Sequence, residues 1–156
     1  MTHSDFLILG GGIIGMMSAW QLAEAGHTVA LVERGQCGRE ASWAGGGILS
    51  PLYPWRYDDP VNDLAEWSMR RYPLLVRQLA QTTGIDPEYR RKGLLYLQED
   101  DESPAQAWAQ RRQRTLQRVS GAAIHALEPQ LAAGFRDGLW MPDLASVRNP
   151  RLCQAL

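Results

Sequence analysis

"DFLILGGGIIGMMSAWQLAEAGHTVALVER", Asp5 to Arg34, is the stretch on which the reading of this chain turns. Asp5–Leu9 is a short apolar run stopped by Gly10, the pattern of a buried strand. Ile13–Ala25 reads as a helix, with Gly26 as its stop. Thr28–Glu33 reads as a second strand. A strand, a tight turn, a helix and a second strand open a parallel α/β sheet. The turn fits G-x-G-x-x-G through Gly10, Gly12 and Gly15. The first glycine permits the tight turn, the second lets backbone approach a pyrophosphate, and the third lets helix and strand pack closely. The helix N-terminus then offers unpaired N–H groups and the positive end of a dipole to phosphate. Glu33 stands near the ~20-residue offset expected of an acid that binds a ribose hydroxyl. A carboxylate there opposes the 2′-phosphate of NADP. Arg34 reads equally as a solvated charge or as a contact near adenosine.

NAD and FAD both satisfy this turn, and the next stretch separates them. "EASWAGGGILSPLYPWRY", Glu40 to Tyr57, shows neither helical nor strand period. A nicotinamide dehydrogenase usually continues into another βαβ element soon after the acid. This chain runs instead through Ala41 and Ser42 into Gly45–Gly47 and Ile48. Such a loop can approach a second flat body closely and offer it backbone N–H groups. Tyr53, Trp55 and Tyr57 read first as local core and second as a substrate cage.

Working outward, Asp59 reads as an N-cap, Pro60 as the first helical residue and Gly84 as the stop. Val61, Leu64, Trp67, Met69, Tyr72, Leu75, Val76 and Leu79 follow a helical period, with Pro73 expected to kink or divide the helix. Gly93–Gln98 reads as a strand. Ser103 and Pro104 open a helix expected to reach Gly121. Ala126–Leu131 reads as a turn or helical piece, Gly138–Met141 as a strand, and Asn149–Pro150 as the start of a last helix. A doubly wound sheet needs more parallel strands than these, so the chain reads as the N-terminal part of a longer protein.

The 156 residues are 45% apolar and 21% charged with a formal net charge of −1, so no global field points to nucleic acid or anionic membrane. "RRQRTLQR", Arg111–Arg118, reads as a solvated helix face. Phe6–Trp20 is apolar but shorter than the ~20 residues of a membrane span and lacks a basic flank. Cys37 and Cys153 lack disulfide or metal spacing and read as reduced thiols, which favours a cytoplasmic protein. His3, His27 and His125 are isolated, and no metal-binding pattern is present.

The two quoted stretches resemble the D-amino-acid oxidase family of flavoproteins, within it most the bacterial glycine-oxidase branch tied to thiamine biosynthesis. Gly93–Leu97, "LEPQL" at Leu127–Leu131 and "NPRLCQAL" at Asn149–Leu156 add weaker support. The resemblance implies non-covalent FAD. Gly10, Gly12, Ile13, Ile14 and Gly15 would face its pyrophosphate, and Glu33 and Arg34 its adenosine end. Ala41 and Ser42 would lie along the diphosphate, and Gly46, Gly47 and Ile48 near the isoalloxazine. It implies residues 1–86 in an FAD domain, 87–145 opening an α+β substrate domain, and 146–156 returning to the first. It also implies oxidative deamination of glycine or another small amino acid or secondary amine, with oxygen as acceptor and peroxide as product. The carboxylate-clamping arginine would lie beyond Leu156, so no catalytic residue falls in this chain and the fragment alone would be inactive. A D-amino-acid dehydrogenase passing electrons to quinone and a non-catalytic nucleotide-binding fragment remain alternatives, and a homo-oligomer is left open.

Overall fold

The computed structural model describes residues 3–97 and 100–156. The expected α/β character is present, in two compact units. The first comprises residues 1–47, 72–89 and 147–156; the second comprises 48–71 and 90–146. Helix α3 supplies its first half to the second unit and its last turns to the first.

In the first unit, β1 (Phe6–Leu9) pairs in parallel with β2 (Val29–Val32), in register from Phe6 opposite Val29 to Leu9 opposite Val32. Between them runs α1 (Ile13–Glu24). It ends as expected at Gly26. There φ is +90°, the Gly26 N–H donates to Ala23 O and the His27 N–H to Leu22 O, the paired bonds of a glycine-terminated helix. A short α2 (Ala41–Ala44) follows, and α6 (Asn149–Ala155) returns to this unit. Met16, Val76, Leu79, Val147, Leu152 and Cys153 are buried there. Burial pushes the Cys153 thiol pKa up, as an apolar surrounding disfavours thiolate.

The long helix α3 (Asp59–Thr83) starts one residue before expectation: Asp58 O receives the N–H groups of Val61 and Asn62. It runs through Pro73 as one helix and ends at Gly84 with φ +73°. The buried Asn62 amide donates to Pro54 O at 3.0 Å and Tyr57 O at 3.1 Å, tying the preceding turn down. In the second unit, β3 (Leu94–Leu97), β4 (Gln117–Ser120) and β5 (Asp137–Met141) form an antiparallel sheet in the order β3-β5-β4. Gln98, the expected end of the first of these, lies outside the described residues. Tyr53 and Trp55 stack edge-on with each other, 5.7 Å between centroids, and pack on the core around Tyr96 and Trp108. Tyr57 stays exposed.

One expected element is corrected. The helix from Ser103 does not reach Gly121: α4 (Glu102–Arg111) stops ten residues earlier, a connection and β4 fill the interval, and a separate α5 (Gly121–Leu127) starts at Gly121. The stop is the paired-bond end seen at Gly26, but built on Gln113, at φ +53°. Gln113 N–H donates to Gln110 O and Arg114 N–H to Ala109 O. Sequence reading seeks glycine at that position, and glutamine hides the stop. Arg112 is drawn into ion pairs with Asp59 and Asp63, and Arg118 pairs with Glu102 and Asp137, so Arg111–Arg118 is not one helical face. A non-glycine residue in left-handed backbone costs about 1–2 kcal/mol. Gln113→Gly is therefore expected to stabilise the second unit by about 1 kcal/mol, readable as a higher denaturant midpoint at constant slope.

Candidate nucleotide-binding site

The glycine turn lies between β1 and α1, as its spacing demands. Gly10 has φ +102° with no neighbour near the side a Cβ would occupy, so the turn is tight and open. Gly15 is the tightest point. A Cβ there would fall far inside contact distance of the Gly10 carbonyl oxygen and 3.4 Å from Ile8 Cγ2. Close helix–strand packing is thus what this glycine serves. Gly12 caps α1 with extended backbone and no side-chain bond of its own. The cap comes from afar: Ile13 N–H donates to Ser42 Oγ at 2.9 Å. Ser42 accepts this bond and so keeps its own hydroxyl proton as a donor, beside the N-terminal turn of a twelve-residue helix.

Glu33 just follows β2, and its carboxylate turns back to the turn. Its Oε2 accepts from Gly11 N–H at 2.7 Å and its Oε1 from Gly35 N–H at 2.9 Å. The Gly11 bond, then the Gly35 bond, hold its pKa below the ordinary carboxylate range. A carboxylate oxygen has two acceptor sites, so both bonds leave room for a hydroxyl donor. Because the folded pKa is the lower one, the stabilisation is complete above the unfolded value and fades as pH falls through the folded value. Acid titration is expected to loosen the Gly11 turn as pH falls through that lowered value, below the usual carboxylate range. Glu33→Gln should remove most of that pH dependence, measured by Gly11 and Gly35 amide exchange.

Arg34 pairs with Glu40 at 3.6 Å, both largely exposed. Such pairs contribute little, so the side chain is available to a ligand. Ala41 is exposed at the start of α2. Gly45 to Gly47 follow α2 and divide into two kinds. Gly47 has φ +74° and faces the Val147 carbonyl, whose N–H returns a bond to Gly47 O at 2.9 Å. A Cβ on Gly46 would meet nothing within 4 Å. Ile48 belongs to the second unit, where it bridges to Ser146.

The structure thus brings the turn, Glu33, Ala41, Ser42 and Gly45–Gly47 into one unit, with Glu33 and Ser42 bonded directly to the turn. Three contributors escaped the sequence reading. Gly11 sits at a free position of G-x-G-x-x-G, yet a Cβ on it would stand 2.6 Å from Cys37 Sγ. The buried Gly38 packs on Cys153. Asn149 lies against Gly45 and Gly47 from a hundred residues downstream. Only the extra glycine at position 11 left a trace in the sequence.

The donor set fits a dinucleotide: an open tight turn, a helix N-terminus, the Ser42 hydroxyl beside it and a ribose-competent carboxylate at its rim. Among the described residues no group of side chains could hold a metal, and no helix is long and apolar enough to cross a membrane. The chain is 49% identical to a glycine oxidase of Pseudomonas aeruginosa over 150 residues, covering 96% of this chain and 41% of that one. It is 31% identical to the bifunctional protein ThiO/ThiG of Synechocystis, covering 99% and 23%. Its fold matches the crystal structure of glycine oxidase from Bacillus cereus with a TM-score of 0.87 and 32% identity, covering 98% and 42%. The chain therefore spans about two fifths of the glycine oxidases it matches. Residues 5–156 match the DAO model of FAD-dependent oxidoreductases, and with the turn, its acid and its distant serine in one site, the chain belongs to that family.

Proposed function

We propose that this chain is the FAD-binding part of an amino-acid oxidase of the glycine-oxidase type. The observation that carries the reading is the bonding of Glu33 and Ser42, 22 and 29 residues from their partners, to the N–H groups of Gly11 and Ile13. In this reading Gly10, Gly12, Ile13, Ile14 and Gly15 receive the pyrophosphate. Glu33 takes the ribose hydroxyl, Arg34 lies near adenosine, and Ala41 and Ser42 follow the diphosphate. Gly46, Gly47 and Ile48 approach the ring. The first unit is then the cofactor domain, and the second opens the substrate domain. When bound, FAD supplies the two-electron acceptor for oxidation at the substrate α-carbon. The residues here bind and orient the cofactor.

The proposed reaction converts glycine, or a similarly small amino acid or secondary amine, to an oxo acid and ammonia or amine. Oxygen is the electron acceptor and hydrogen peroxide the second product, and the proposed destination is thiamine thiazole synthesis. The test is anaerobic addition of glycine to the complete protein. Bleaching of the visible flavin band, then one peroxide per glyoxylate on admitting air, is the expected result. Bleaching without peroxide, relieved by a quinone, would move the acceptor to the dehydrogenase alternative. A flavin band that no small amine bleaches would overturn the oxidase reading.

A further inference from the structure

The geometry points to Asn149 as a positioning residue for the second glycine loop, a wedge that holds Gly45–Gly47 in the shape the cofactor meets. The inference rests on the reading that this loop faces the flavin. Asn149 opens α6, and its amide lies between two glycines of the loop. Its Nδ2 lies well inside contact distance of the place a Cβ on Gly45 would take, and its Oδ1 stands 3.1 Å from the place of a Cβ on Gly47. The neighbouring residue completes the grip, since Val147 N–H donates to Gly47 O at 2.9 Å. A Cβ on Gly46, between them, would meet nothing within 4 Å. Two of the three glycines are therefore small to admit Asn149 and the Val147 backbone, not to admit a ligand. Of the three, only Gly46 has an unobstructed Cβ position.

This makes a prediction that distinguishes a wedge from general stability. In the full-length protein Asn149→Ala is expected to raise the FAD dissociation constant about tenfold, in keeping with the cost of a small misplacement in a preorganised site, and to shift the visible flavin spectrum. Asn149→Asp keeps the shape and should restore most of the affinity. Gly45→Ala must expel the amide, so it should reproduce the Asn149→Ala effect. The double variant should be no worse than either single one, because both vacate the same wedge. Limited proteolysis of the apoproteins gives a readout that needs no flavin: the loop should be cut faster in Asn149→Ala than in the native chain. If the native protein takes up no flavin while Asn149→Ala is still cut faster, the wedge stands and the cofactor reading fails. Unchanged cutting with unchanged affinity, or additive losses in the double variant, would overturn the wedge.

Discussion

Gly15→Ala is expected to lower the stability of the protein by about 3 kcal/mol, the upper range for forcing atoms into a packed interior, and to weaken FAD binding at least a hundredfold. The new methyl would collide with the Gly10 carbonyl oxygen. Both partners are fixed to backbone, so no rotamer relieves the clash. Moving toward β1 is closed as well, because Ile8 Cγ2 stands 3.4 Å from the same point. The helix or the turn must shift bodily. A displacement of about 1 Å in a positioned site costs about 10²-fold, which sets the expected loss of affinity. The stability loss corresponds to a thermal midpoint lower by about 10 °C for a chain of this size. Calorimetry of the apoprotein and flavin titration of the same sample read the two effects separately. A variant that melts within a degree of the native protein would show that the turn is not packed as described.

Gly47→Ala and Gly46→Ala are expected to behave oppositely, although they are neighbours. Gly47 combines φ +74° with a Cβ position that the Val147 carbonyl already fills. Left-handed backbone costs an L-residue about 1–2 kcal/mol, and the collision adds about as much again. A loss of about 3 kcal/mol without any cofactor present is the expected outcome. Gly46→Ala meets no neighbour within 4 Å and should leave the apoprotein within about 0.5 kcal/mol of native. On our reading of the site it lowers FAD affinity, because the methyl occupies the approach of the ring. Melting curves with and without FAD check both. A destabilised Gly46→Ala apoprotein, or a Gly47→Ala apoprotein that melts like the native one, would contradict the division of labour in this loop.

The turn was legible because each of its requirements is local. Gly10, Gly12 and Gly15 answer to a strand before and a helix after, and those elements announce themselves by apolar runs and by Gly26. The stop at Gln113 was illegible for the reverse reason. Glutamine carries no signature of left-handed backbone, so the run toward Gly121 read as unbroken helix and β4 was missed. Tyr53 and Trp55 were readable as core because large rings favour burial, although Tyr57 beside them stays exposed. Asp59, taken for the cap, proved the first helical residue, an error of the size that fraying helix ends invite.

By itself the sequence determined the βαβ opening, the nucleotide turn with its acid at Glu33, and the glycine loop whose place after that acid favoured a flavin. Spacing along the chain carries these, since a turn and its flanking elements are built from neighbours. The tertiary structure decided that Ser42 caps α1 through Ile13, that Glu33 is held by Gly11 and Gly35, and that Gly45 and Gly47 are small to admit Asn149 and Val147. Except for the Glu33–Gly35 bond, these are contacts between residues 22 to 104 positions apart. No local pattern encodes such contacts; they follow from how distant elements pack against one another.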